Sequence, residues 1–307
     1  MKQRIMQFAK RVTRTLTSEI TAVNATNIVL TASLHAHRVK ELGVVKALKE
    51  VEFKAFSQWG EDGIIQYLIN LVPIENETFI EFGVENYTEA NTRFLLMHDN
   101  WKGLVVDGSQ KHIDQIRNDE IYWKHELTAQ CRFINRDNIN EIFKNAGFVG
   151  DIGLLSIDID GNDYWVWEKI DVIMPRIVVC EYNSTFGCKR PITVPYNAEF
   201  VRTDVHYSNL YYGASLAALC HLAVRKGYDF VGSNSTGSNA FFVRNDLRHG
   251  LRKFSAVDGY IESKVRESRN KSGDLTFLTG AERLRLIKDM PVYDIDNDVI
   301  VPIKDIV

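Results

Sequence analysis

Proline is scarce in this chain of 307 residues: six in all, and none before Pro73. A long uninterrupted helix is therefore open to the N-terminal stretch. The four cysteines, Cys131, Cys180, Cys188 and Cys220, contain no C-x-x-C pair and no zinc spacing. That argues against a disulfide framework or a thiolate metal site, and it fits a reducing compartment with the thiols as core filler. No apolar run is long enough to span a bilayer, and no signal-peptide core with a cleavage site is present, so the expectation is a cytoplasmic protein. Positive charge is not in excess either. Lys and Arg number 37 against 40 Asp and Glu, and the net charge of −3 argues against a general nucleic-acid binder. There is no internal repeat.

What is present is an ordinary globular composition, 45% apolar and 25% charged, in a chain long enough for one large core or one core plus an appendage. The stretch T-F-I-E-F-G-V-E at residues 78–85 organises the rest. Its apolar, β-branched and aromatic run predicts a buried strand that ends on an acid, Glu81, and turns at Gly83. A helix is expected over 89–98. The pattern then repeats. Residues 102–108 predict a second strand ending on Asp107, 132–135 a short third one, 152–161 a fourth whose acids begin at Asp158, and 175–183 a fifth ending on Glu181. Helical segments fall between them, at 139–146 and 165–170. Parallel strands separated by helices would place Glu81, Asp107, Asp158 and Glu181 along one edge of a sheet. Residues 214–226 predict a further helix, and 228–231 and 240–243 two last strands joined by a Gly/Ser/Asn turn.

Residues 1–50 carry nine Lys/Arg against three Glu, a charge of +6 that leaves −9 for the remainder. Ile5, Ala9, Val12, Leu16, Ile20, Val23, Leu30 and Leu34 keep a helical apolar stripe. Such a stripe predicts burial against a partner subunit, hence a homo-oligomer through residues 1–50. The weaker alternatives are contact of the basic start, Lys2 to Arg14, with an anionic membrane surface and packing on the chain's own core. Residues 1–52 thus read as a helical extension, 53–247 as the main domain and 248–307 as a C-terminal extension with a helix near 281–288.

The order and spacing of FIEFG (79–83), GLVVDGS (103–109), LLSIDIDGNDYW (154–165), VVCEYN (178–183) and NAFFV (239–243) resemble a class I S-adenosylmethionine-dependent methyltransferase, in detail the FkbM-like branch. The resemblance covers about residues 56–245. It implies an α/β fold with a Rossmann-like, doubly wound, mostly parallel sheet. It also implies methyl transfer to a hydroxyl, often on a sugar, a glycan or a secondary metabolite. One departure is that Gly83 is followed by Val-Glu-Asn, with no second glycine.

For an S-adenosylmethionine cofactor, Asp107 would accept hydrogen bonds from the ribose diol. Glu81, Gly83 and Glu85 would face the methionine part, Gly83 by leaving room, and Asp137 and Asn138 would reach the adenine. Asp158 belongs to both the cofactor set and a second one. Asp158, Asp160, Glu181 and Asn183 offer the oxygen ligands of a hard cation, Mg²⁺ or Mn²⁺, which would bind the acceptor hydroxyl as in metal-dependent O-methyltransferases. The open alternative is a metal-free site in which these groups orient the substrate. Asp160 and His206 are the candidate catalytic bases. Gln58, Glu61 and Asp62 would close over the cofactor, and Tyr196, Tyr207, Tyr211 and Tyr212 suit a sugar face as well as core packing. Two other functions compete: a metal-dependent glycosyltransferase using Asp158-x-Asp160, and a non-catalytic oligomeric scaffold.

Overall fold

The computed structural model describes residues 23–306. The N-terminal half of the apolar stripe, Ile5 to Ile20, and the basic start lie outside the described residues. Helix α1 covers 23–41, and no described helix is long and apolar enough to cross a membrane.

Seven strands form the central sheet. They are β1 (Thr78–Phe82), β2 (Lys102–Asp107), β3 (Leu127–Cys131), β4 (Gly150–Ile157), β5 (Ile173–Glu181), β7 (Tyr228–Ser233) and β8 (Asn239–Arg244). Their order across the sheet is β3-β2-β1-β4-β5-β8-β7. The first five run parallel, and β8 is antiparallel to both β5 and β7. This is the Rossmann-like, doubly wound, mostly parallel sheet expected from the sequence. The strand order turns back between β1 and β4, which opens a crevice at the carboxyl ends of those two strands.

Alternation along each strand divides the core into two layers. Ile80, Phe82, Leu104 and Val106 pack on one face against α6 (Ile139–Ala146), α7 (Asp163–Lys169) and α9 (Leu216–Lys226). Phe79, Val105, Leu154 and Ile177 pack on the other against α2 (Glu61–Leu71), α3 (Arg93–His98) and α4 (Gln110–Asn118). Side-chain caps start several of these helices. Ser215 accepts from Ala218 N at the head of α9, and Asp119 accepts from Ile121 N at the head of α5 (Glu120–Lys124).

Two elements differ from expectation, each for a physical reason. The third strand is Leu127–Cys131 rather than 132–135, because Leu127 and Ala129 alternate inward while Phe133 stays 49% exposed in the following loop. Helix α3 begins at Arg93 rather than at 89, because the Asn91 and Thr92 amides point into the sheet and donate to Glu81.

The C-terminal segment folds back onto the main domain. Strand β9 (Pro291–Asp294) pairs antiparallel with the short β6 (Ile192–Thr193) and with β10 (Val299–Pro302). Helix α10 (Ala281–Leu286) supplies Leu284 and Leu286 to a third core cluster around Tyr211, Ile287, Val292 and Ile303. At the other end, α1 buries Ala32 and Ala36 beside Phe56 and Phe94. It leaves Leu30 and Leu34, both on the predicted stripe, more than 60% exposed. Among the described residues, this part of the stripe does not pack on the chain's own core. Leu48 and Val51, just beyond the helix, do enter the main core.

Candidate functional site

A cavity of about 450 Å³ opens at the carboxyl edge of the sheet, and Glu81, Asp107, Asp158 and Glu181 all line it. Gly83 is part of its wall. Its φ is +67°, and a Cβ built there would lie 1.8 Å from the carbonyl oxygen of Asp158. The space that a side chain would take is therefore filled by the end of β4, not left for a ligand. Glu81 is inside the strand rather than free at its tip. Its Oε1 accepts from Asn91 N, and its Oε2 accepts from Thr92 N and Thr92 Oγ1. It thereby holds residues 91–92 against the sheet, with Asn91 donating in turn to Ser156. Burial pushes the Glu81 carboxyl up to about 7 in spite of these bonds.

Asp107 ends β2. Its Oδ2 accepts from Glu85 N at 2.9 Å and its Oδ1 from Ser109 N at 2.8 Å, with His112 Nδ1 3.1 Å away. Glu85 sits at φ +47°, a conformation held by that bond. These contacts fix the carboxylate at the cavity wall and leave part of its acceptor capacity for a ligand. Beside it, following the paired end of β3, Arg132, Phe133 and Ile134 line the cavity.

Asp137 and Asn138 do not line it, contrary to expectation. Asp137 points to solvent and accepts from Tyr196. The Asn138 amide is spent on Asn135 N and the Phe133 carbonyl, shaping the turn into α6. Because β3 ends earlier than predicted, the cavity-facing residues of this loop come several positions sooner.

The acidic cluster is real but smaller than predicted. One carboxylate oxygen from each of Asp158, Asp160 and Glu181 lies within 4.8 Å of the others. Asn183 is not part of it. That side chain is buried, donates to the Leu210 and Tyr212 carbonyls, and accepts from Thr185 N, so it staples the following loop. Asp163 is also structural: it accepts from Ile159 N and Gly161 N and tightens the turn in which Asp160 sits at φ +55°. Burial pushes the Asp158 and Glu181 carboxyls well up, and neighbouring carboxylates push in the same direction. Glu181 Oε2 is buried with no hydrogen-bond partner among the described residues, and so is Asn239 Oδ1 on the strand alongside. Two orphan acceptors at adjacent strand ends of one cavity call for a ligand that donates or carries positive charge. Three hard oxygen donors and an orphan carboxylate oxygen fit a divalent cation.

Residues that sequence reasoning missed complete the wall. Arg202 pairs with Asp160 and lies 3.9 Å over the Tyr212 ring, with Glu267 3.9 Å from its Nη2. Burial alone would lower its pKa, but Tyr212, Asp160 and Glu181 reverse that and the net shift is upward. Glu267 and Arg283 come from the C-terminal segment. No local signal marks any of these three, since a single Arg or Glu in a loop has no periodicity to betray it.

His206 is not in the cavity wall. Its Nδ1 pairs with Ser208 Oγ at 2.7 Å, its ring stacks on Tyr207, and burial lowers its pKa; its place outside the wall removes it as a base for a ligand there. Gln58 does line the cavity, but Glu61 and Asp62 do not. Glu61 ties Asn234 and Asn239 to the loop amides of Trp59 and Gly60, and Asp62 gathers the amides of Ala55, Phe56 and Ser57. Of the four tyrosines, Tyr212 faces the cavity.

The sequence matches no protein-family model and none of the curated proteins. Among solved structures, it is similar to the N-terminal domain of EvdMO1 with SAH bound. That match has a TM-score of 0.39 and 11% identity, over 68% of this chain and 93% of that one. The same domain in the presence of SAH and D-fucose gives a TM-score of 0.38. An S-adenosylmethionine-dependent methyltransferase from Clostridium acetobutylicum ATCC 824 gives 0.37 at 9% identity, over 60% of this chain and 89% of that one.

Proposed function

We propose that this protein is an S-adenosylmethionine-dependent O-methyltransferase of the FkbM-like type, acting on a hydroxyl of a sugar, a glycan or a secondary metabolite. The observation that carries this reading is a single cavity lined by two chemically distinct sets of groups. One set is the fixed Asp107 carboxylate, held by Glu85 N after the Gly83 turn, and the other is the Asp158, Asp160 and Glu181 cluster. Asp107 would hold a ribose diol, Phe133 and Ile134 would flank the adenine, and Asn91 and Gln58 would lie toward the methionine part. The bound cofactor supplies a methyl group on a sulfonium, open to in-line displacement by an oxygen nucleophile.

The chain's own task is to present that oxygen and remove its proton. Asp160, on the cavity side and paired with Arg202, is the candidate proton acceptor. A divalent cation, Mg²⁺ or Mn²⁺, held by Asp158, Asp160 and Glu181 belongs to this proposal, since it would lower the hydroxyl pKa and fix its position. The exposed Leu30 and Leu34 stripe supports a homo-oligomer, with α1 as part of its interface.

The Asp158-x-Asp160 pair would equally serve a metal-dependent glycosyltransferase. The two readings part at Asp107. Calorimetry with S-adenosylhomocysteine should show binding, weakened by about 1.5–3 kcal/mol in Asp107→Ala through loss of a charged partner. Stabilisation by a nucleotide sugar and none by S-adenosylhomocysteine would overturn the methyltransferase reading.

A further inference from the structure

Arg283 is a buried cation without a partner. Its side chain is 6% exposed, its Nε is sealed from water, and it makes no hydrogen bond or salt bridge to any described residue. Its place is nonetheless well determined. Gly280, at φ +50°, turns the chain into α10, and Arg283 N donates back to the Gly280 carbonyl. Leu284 and Ile287 then anchor the helix in the third core cluster, and Arg283 lines the cavity.

Burying a guanidinium unpaired costs folding free energy, so a group from outside the chain is the natural counter-charge. Glu262 is the carboxylate whose charge acts on Arg283, but the two form no salt bridge. Asp160 is taken by Arg202, and Glu267 lies beside Arg202 and Arg269. A second unpartnered donor stands in the same wall. Tyr212 is 9% exposed, lines the cavity, and its hydroxyl makes no hydrogen bond to a described residue. Burial pushes the Tyr212 hydroxyl well up, which keeps it protonated and able to donate.

We propose that Arg283 and Tyr212 form an oxyanion subsite, and that the methyl acceptor carries a carboxylate, phosphate or sulfate besides its hydroxyl. The proposal rests on the methyltransferase reading and narrows its substrate class to acidic acceptors. A guanidinium fork and a phenol together match the planar or tetrahedral oxygens of such groups. Tyr212 ties the pair to the acceptor cluster, since its ring lies 3.9 Å under the Arg202 guanidinium that pairs with Asp160. A cofactor carboxylate is the other source of the same chemistry, and the test separates the two.

The 307-residue chain is titrated calorimetrically with inorganic sulfate, phosphate and acetate at constant ionic strength. Arg283→Met should weaken oxyanion binding at least about tenfold, Arg283→Lys should keep part of it, and Tyr212→Phe should fall between. In anion-free buffer Arg283→Met should melt higher than the parent, because an unpaired buried charge is gone; a purely structural arginine would make it melt lower. Affinity for S-adenosylhomocysteine should be unchanged in Arg283→Met. Loss of that affinity would assign the arginine to the cofactor and overturn the proposal. So would oxyanion binding that is absent from the parent, or equal in parent and Arg283→Met. Should Arg283→Met not fold, the Lys and Phe variants carry the same comparison. A parent that binds sulfate through Arg283 but no S-adenosylhomocysteine would sink the methyltransferase reading and leave the oxyanion site standing.

Discussion

Gly83 and Asp158 meet backbone to backbone across the β1/β4 crevice, so closely that a methyl group on Gly83 would lie 1.8 Å from the Asp158 carbonyl oxygen. The Gly83 turn in the cavity wall and the strand that carries the acidic cluster are thus one packed unit. Gly83→Ala has to displace the end of β4 and also holds a non-glycine residue at φ +67°. It should cost about 2–4 kcal/mol in urea unfolding and weaken S-adenosylhomocysteine binding as well. Stability within about 0.5 kcal/mol of the parent would show that the contact is soft.

Glu81 makes stability depend on pH. Its carboxyl is raised by burial from an ordinary 4.5 to about 7, so between those values the folded chain holds a proton that the unfolded chain has released. Its contribution is fully present below about pH 4.5 and is lost as pH rises through about 7, on the order of 3 kcal/mol across the window. Asp62 and Asp163, both raised by burial to about 6, act in the same direction over a lower window. Unfolding free energy measured from pH 5 to 8 should therefore decline, and Glu81→Gln should flatten the decline. Parallel curves for parent and variant would assign the slope elsewhere.

The acidic cluster predicts a separation of two kinds of binding. Glu181→Gln and Asp160→Asn should each remove about 1.5–3 kcal/mol of Mg²⁺ or Mn²⁺ affinity while S-adenosylhomocysteine affinity stays put. Methyl transfer should stop on chelation and return with added cation. Full turnover in EDTA would mean that the cluster works by hydrogen bonds, with Arg202 as its counter-charge.

The stripe on α1 gives a test of assembly that leaves the core alone. Leu30→Glu with Leu34→Glu alters two side chains that are 62% and 74% exposed, so the melting temperature of a monomer should not move. Light scattering should show a smaller mass than for the parent. Removing residues 1–50 outright is a poorer test, because Leu48 is part of the main core. Equal masses for parent and double variant would rule out this face as an interface.

Much of the sheet was legible because side-chain period and backbone geometry are the same information. Apolar runs ending on Glu81, Asp107, Asp158 and Glu181 specify strands, and parallel strands joined by helices put their carboxyl ends on one edge. The helices at 139–146 and 216–226 were visible for the same reason, with Gly147 and Gly227 at positive φ to stop them. Strand β3 was misplaced by several residues because Phe133 looks like a strand residue and is instead a cavity wall.

The sequence by itself thus determined the α/β class and the four acids at the sheet edge. The tertiary structure alone decided which polar groups are free to act. Asn183, His206, Asp137 and Asn138 carry plausible chemistry as residue types, but backbone groups or nearby side chains claim them. Arg202 and Arg283 have no local signature and reach the cavity from loops and helices far along the chain. Periodicity is a local property that any short window of sequence displays. Whether a buried polar atom finds a partner depends on long-range packing, which no window contains.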